Sequence, residues 1–223
     1  MDQAILEFQN VTGKGKKYQI SGVSFSLMPG YIYAIAGENG AGKTTLMRCV
    51  LEERARFDGR ILFEGEDMKG RHAGVMNGIG FVSEDQVFFE DRSGIQNASL
   101  LGILYDSMNM KQFSELMGRF GLNVHKTYKK MSRGERMKFQ LAFAIAHDSR
   151  LLLLDEATAG MDPVFRRELF DLLRELLVDE SRCVLMTSHN HGEIERQTDY
   201  VAVMRKGQLS EFRESMDGIG AGL

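Results

Sequence analysis

Apolar and polar positions change their period several times along this chain, and each change marks an element. Alternation at every second residue runs through ILEFQN (5–10), GVSFSL (22–27) and YIYAIAG (31–37), the pattern of strands, with Pro29-Gly30 turning the second into the third. The period then lengthens to that of an amphipathic helix from Lys43 to about Glu53. RILFEG (60–65) and GIGFVS (78–83) predict two further strands, and helical periodicity fills residues 93–120 and Arg133–Ala146.

LLLLD (151–155) has no polar face at all and reads as a buried parallel strand. Asp162-Pro163 supplies the N-cap and first-turn proline of the next helix, whose inner face is marked by Phe165, Leu169, Leu172, Leu173, Leu176 and Leu177. CVLMTS (183–188), a short polar helix, YVAVMR (200–205) and GQLSEF (207–212) complete an alternation of strands and helices that predicts a doubly wound α/β sheet. Without repeats, low-complexity stretches or a linker, the chain reads as one domain. Its helical block, 86–148, is inserted between core segments 1–85 and 149–223.

Composition agrees and excludes some functions. A chain of 223 residues, 43% hydrophobic and 26% charged, suits one domain with a sizeable core. A formal net charge of -3 offers no broad basic face, so nucleic acid is not expected as a partner. Cys49 and Cys183 stand apart with no CxxC spacing and read as reduced, buried thiols. The opening MDQAILEFQN lacks the apolar run of a secretory signal, and no stretch approaches the ~18 apolar residues of a membrane span. A cytosolic protein is expected.

The candidate chemistry begins with GENGAGKT, in which Gly37, Gly42, Lys43 and Thr44 match G-x-x-x-x-G-K-[ST] between a predicted strand and a predicted helix. Such a loop wraps its backbone around phosphate oxygens at the positive end of a helix. Asn39, Gly40, Ala41 and Thr45 complete the cradle, Lys43 reaches the β and γ phosphates, and the Thr44 hydroxyl is placed to ligate Mg²⁺. Asp155 closes the apolar strand at its carboxyl end, where open α/β sheets bind ligands, and is the second expected metal ligand. Glu156 follows as the expected base for an attacking water; capping of the next turn is the alternative for both carboxylates.

These residues resemble the ABC ATPases, and the resemblance covers almost the whole chain, about Leu6 to Leu209. MSRGE (131–135) resembles the family's LSGGQ signature, AGMD (159–162) its D-loop and TSH (187–189) its switch-histidine loop. The resemblance implies a P-loop NTPase (RecA-like) core with an antiparallel β portion and an inserted helical signature subdomain. It implies that Ser132, Gly134 and Glu135 face the γ-phosphate bound to a second subunit, that Asp162 of the D-loop is among the nucleotide-binding residues, and that His189 contacts γ-phosphate and water. Ser132 and Glu135 also form a capping box, a role compatible with the first. Arg133, in place of the signature's first glycine, touches phosphate or faces water.

Two positions depart from the family. Glu84 holds the place of the Q-loop glutamine and is taken as a catalytic and metal-proximal residue, with Gln86 the alternative. The only aromatic near KGKKY is Tyr18, which stacks on adenine or packs at the next strand. By the resemblance, the stretch holding Phe88 and Phe89 lines the groove for a cytoplasmic helix of a membrane subunit, and Phe88 or Phe89 is expected to anchor it, with burial in the core the alternative; His147 and His191 read as surface residues.

The implied activity is MgATP hydrolysis in a head-to-tail dimer, homodimeric or heterodimeric, at the cytoplasmic face of the membrane. It would power a separate integral-membrane permease, and export of drugs, peptides or similar amphipathic cargo is the expected direction. A soluble ABC ATPase of DNA maintenance or translation is the alternative, as is a non-transport regulator of a membrane complex.

Overall fold

The computed structural model describes residues 3–14, 19–83, 88–158 and 161–215, with backbone alone for His191 and Glu193. The alternating N-terminal segments become β1 (Leu6–Gly13) and β2 (Val23–Leu27), an antiparallel pair. The fully buried run Ile32–Ala36 is β3, and α1 (Lys43–Leu51) follows it. Next come β4 (Phe57–Phe63), β5 (Glu66–Asp67), α2 (His72–Met76) and β6 (Ile79–Val82).

The helical block breaks into α3 (Gly94–Gly102), α4 (Met110–Arg119) and α5 (Arg133–Ala146). The long 93–120 period is interrupted after Gly102, and Asn109 starts a new helix by accepting a hydrogen bond from the Gln112 amide. The rest of the chain forms β7 (Leu151–Leu154), α6 (Pro163–Leu177), β8 (Cys183–Ser188), α7 (His191–Glu195), β9 (Tyr200–Arg205), β10 (Gln208–Leu209) and β11 (Arg213–Glu214).

Two sheets result among the described residues. A four-stranded antiparallel sheet runs β2-β1-β4-β5, and a seven-stranded sheet runs β10-β9-β3-β8-β7-β6 with β11 also on β9. In the larger sheet β9, β3, β8, β7 and β6 are parallel, so their carboxyl ends lie along one edge. Strands buried on both faces need continuous apolar sequence, which LLLLD and CVLMTS supply.

Alternate residues of these strands feed two cores. Ile32, Ala34, Ala36, Leu152, Leu154, Val184 and Met186 pack with residues of α3–α6 on one face. Tyr33, Ile35, Leu151, Leu153 and Leu185 pack with α1 and the antiparallel sheet on the other. Each fully buried leucine contributes about 1.5–3 kcal/mol, so the parallel edge stands on a rigid base. The α/β P-loop architecture with an antiparallel β portion, expected from the sequence, is what the chain adopts.

Candidate active site

Residues 37–44 join the carboxyl end of β3 to α1, and neighbouring strands hold the loop on both sides. The Gly37 amide donates to Ser188 O at 3.1 Å, and the Gly207 amide donates to Ala41 O at 2.8 Å. Gly37 is required by close approach, since a Cβ there would lie 2.5 Å from the Met204 carbonyl oxygen. Gly42, the N-cap of α1, has φ of 117°, where an L side chain is strained.

No side chain caps α1 and its first turn carries no acidic residue, so the helix presents backbone amides and its positive dipole end toward the loop. At Gly40 an added Cβ would meet nothing within 4 Å. The loop opens there on a cleft of about 420 Å³, lined by residues 37–41, His189 and residues 203–206. Amides, a helix N-terminus and open space form a cradle that fits a bound phosphate chain.

Beside the loop, Lys43 is 5% exposed. Its Nζ donates to Gly37 O at 2.6 Å and Glu38 O at 3.1 Å, and pairs with Glu156 Oε1 at 3.0 Å. Two of the ammonium's three donors are engaged by carbonyls, and the carboxylate faces it as an ion pair. Thr44 Oγ1 donates to Asp155 Oδ2 at 2.9 Å, and the buried Thr187 hydroxyl donates to Asp155 Oδ1 at 2.6 Å. His189 Nδ1 lies 2.8 Å from Glu156 Oε2.

Glu156 adopts φ of 52°, a left-handed conformation uncommon outside glycine and found where a site over-determines the backbone. Burial alone raises the pKa of its carboxyl, but hydrogen bonds from His189 and Lys43 outweigh it and hold the group below the usual glutamate range. An ionised carboxylate is thus fixed beside the loop, with its second oxygen on an exposed imidazole.

The start of α5 is separate. Ser132 caps the helix, with its Oγ accepting from the Glu135 amide at 3.3 Å and its own amide donating to Glu135 Oε2 at 2.8 Å. Lys126 Nζ reaches both Glu135 oxygens, at 2.8 and 2.7 Å. Arg133 and Gly134 are exposed on the first turn. Arg133 lines a pocket with Ser83, Met131, Arg136, Met137 and Gln140, not the loop's cleft. Asp162 caps α6 by accepting from the Phe165 amide at 2.9 Å.

Hydrogen bonds and ion pairs therefore join Gly37, Lys43, Thr44, Asp155, Glu156 and His189, and Ser132, Gly134 and Glu135 do not line the loop's cleft. Tyr18, Glu84, Gln86 and the first half of AGMD lie outside the described residues. One reading needs correction, and one choice between alternatives narrows. His147 is not on the surface: it is 2% exposed, stacked on Tyr105 at 4.1 Å, and burial pushes its pKa down to about 4. Phe88 belongs to the core, against Tyr128, Phe139 and Phe143, whereas Phe89 is 53% exposed. Thr187 was passed over because only the pairing of β7 with β8 reveals what its hydroxyl meets.

A family profile described as "ABC transporter" matches residues 20–159. The chain is similar to an uncharacterized ABC transporter ATP-binding protein of Bacillus subtilis, YhcH, at 30% identity over 96% of this chain and 72% of that protein. The bacitracin transport ATP-binding protein BcrA of Enterococcus faecalis is 28% identical over 93% of this chain and 68% of that one. Among solved structures, cbiO1 of Clostridium perfringens, part of the ABC transporter complex cbiONQ, superposes with a TM-score of 0.81. It is 23% identical, over 99% of this chain and 92% of that one, and that likeness speaks for the fold.

Proposed function

Because this chain belongs to the ABC transporter family and carries its ATPase domain, we propose that it is the nucleotide-binding subunit of an exporter, hydrolysing MgATP as half of a head-to-tail pair. The observation that carries the reading is the convergence of Lys43, Asp155, Glu156 and His189 at the carboxyl ends of β3, β7 and β8.

The donor set fits Mg²⁺. Among the described residues no three His, Cys, Asp or Glu side chains form a cage, and one hydroxyl with one carboxylate is what a cation needs when phosphate and water fill its remaining positions. When bound, the triphosphate would supply the γ-phosphoryl group and the cation would neutralise the charge that develops on it. Thr44 and Asp155 would hold the ion, and Lys43 would turn a donor from Glu156 to phosphate. Glu156, kept ionised, would take the proton of the attacking water while His189 orients it.

A head-to-tail pair is supported by the place of Ser132 and Gly134, whose capped, exposed helix start has its charge-binding end outside the cleft of its own chain. Each subunit would complete the other's site. The BcrA relative, named for bacitracin transport, supports a role in transport over one in DNA maintenance or translation; export of an amphipathic cargo is the direction taken in this reading. No helix among the described residues is long and apolar enough to cross a membrane; in this reading the cargo path is provided by a permease partner. Exposed Phe89 is the proposed anchor for it.

The decisive variant is Glu156→Gln. It is expected to bind ATP, accumulate as a nucleotide-bound dimer on size exclusion, and lose about 10²–10⁴-fold in phosphate release. Near-normal turnover would remove Glu156 from its role. Phosphate release stimulated by a candidate peptide only when the permease is co-purified would establish coupling.

A further inference from the structure

Thr187, which precedes His189 by two positions, bears the hydrogen bonds that join the Asp155 carboxylate to the Glu156 backbone amide. It lies near the end of β8, the strand between β3 and β7, and is 0% exposed. The pairing of Leu154 with Met186 places the residue after each strand pair, Asp155 and Thr187, side by side. The Thr187 hydroxyl donates to Asp155 Oδ1 at 2.6 Å and accepts from the Glu156 amide at 3.0 Å. One hydroxyl can do both, since it has one proton and two lone pairs.

These contacts have separate consequences. Because Oδ1 of Asp155 is taken by Thr187, the carboxylate is turned so that Oδ2 meets Thr44, the oxygen that would face a metal ion. Because the Glu156 amide is held, its backbone stays at φ of 52°, and from there its side chain reaches Lys43 and His189. Without this acceptor the amide has no strand partner, and a left-handed glutamate would relax toward an ordinary conformation. A buried valine side chain has the same shape as threonine and neither function.

We infer that Thr187 is a positioning residue for ATP hydrolysis, setting through one hydroxyl both the metal-facing oxygen of Asp155 and the backbone angle of Glu156. The inference rests on the assignment of Asp155 to the metal and Glu156 to the water. Loss of an outer-shell partner of this kind costs about 10–100-fold in metal affinity or rate.

The test compares Thr187→Val, Thr187→Ser and Glu156→Gln by steady-state ATPase kinetics, by the Mg²⁺ concentration giving half-maximal rate, and by binding of a fluorescent ATP analogue with and without Mg²⁺. Thr187→Val is expected to lower kcat by about 30–100-fold while the KM for ATP changes less than about threefold. It should also raise the Mg²⁺ requirement, and it should reduce the Mg²⁺-dependent gain in analogue binding without changing binding in EDTA. Thr187→Ser keeps the hydroxyl and should recover to within about threefold of the parent rate.

A Thr187→Val enzyme at parental kcat beside an inactive Glu156→Gln enzyme would overturn the inference and leave the site reading intact. An active Glu156→Gln enzyme would instead overturn that reading. Equal loss in Thr187→Ser and Thr187→Val would show that shape rather than the hydroxyl matters, and would also overturn the inference. If Thr187→Val does not fold, Thr187→Ala replaces it under the same comparison with serine, since its smaller side chain leaves room for the neighbours to relax.

Discussion

Glu156 and Glu135 each sit against one lysine, and in each the carboxyl lies below its ordinary range, but for different reasons. Glu135 is held down first by Lys126 and then by the Ser132 amide, in a capping box that stabilises the start of a helix. Glu156 must first overcome its own burial, and it does so through His189 and Lys43. Lys126 is 35% exposed and Lys43 only 5%. At α5 a charge serves the backbone; after β7 an unfavourable backbone angle serves a charge. The contrast separates groups that hold the fold from groups that the fold holds.

Replacing the two lysines tests that distinction most strongly. Lys43→Met is expected to lower ATP hydrolysis by at least about 10²–10³-fold, the loss typical of removing one donor aimed at developing charge. Lys126→Met should leave hydrolysis within about threefold, because an exposed ion pair contributes only about 0–1 kcal/mol. Phosphate release by each variant decides the matter, and equal losses would erase the contrast.

Phe88 and Phe89 sharpen it on the packing side. Phe88→Ala removes a ring from the cluster of Tyr128, Phe139 and Phe143, and should destabilise the chain by about 3–5 kcal/mol in urea unfolding. Phe89→Ala exposes nothing new and should stay within about 0.5 kcal/mol, while weakening pull-down of the permease. A large stability loss at Phe89 would remove it as a docking residue.

What the sequence revealed follows the same line. Long periodic segments such as Arg133–Ala146 and apolar runs such as LLLLD were legible because their pattern repeats. The short elements β5, α2 and β11 span too few residues to carry a period. GENGAGKT was legible because its chemistry is local, with glycines, lysine and threonine inside one loop. Thr187 was not, because its meaning depends on strand pairing across residues distant in the chain. His147 was misread, and Phe88 could not be told from Phe89, because a polar residue after a helix and an aromatic among charges give no sign of the partners, Tyr105 and Tyr128, that cover them.

A smaller effect distinguishes the two ends of α5's role. Ser132→Ala removes the cap and should cost about 1 kcal/mol of stability, read from urea unfolding. In the proposed pair it should also reduce hydrolysis while leaving binding of a fluorescent ATP analogue to the single chain unchanged, since Ser132 lies outside that chain's own cleft. Weakened binding by the lone subunit would argue against a shared site.

The smallest expected difference is in the response to acid and salt. Both carboxyls have a folded pKa below the unfolded value, so the stability each contributes is fully present above about pH 4.3, the unperturbed glutamate value, and is lost as pH falls through the lower folded one. Glu135→Gln and Glu156→Gln should each flatten this acid limb relative to the parent. Salt should then separate them: Lys126 is partly in solvent, so added salt screens its pull on Glu135, whereas Lys43 is enclosed with Glu156 and screened less. Melting curves between pH 3 and pH 6 at low and high salt should therefore show the Glu135→Gln difference shrinking and the Glu156→Gln difference persisting. Equal salt sensitivity would mean that burial of Lys43 does not set the electrostatics of the cleft.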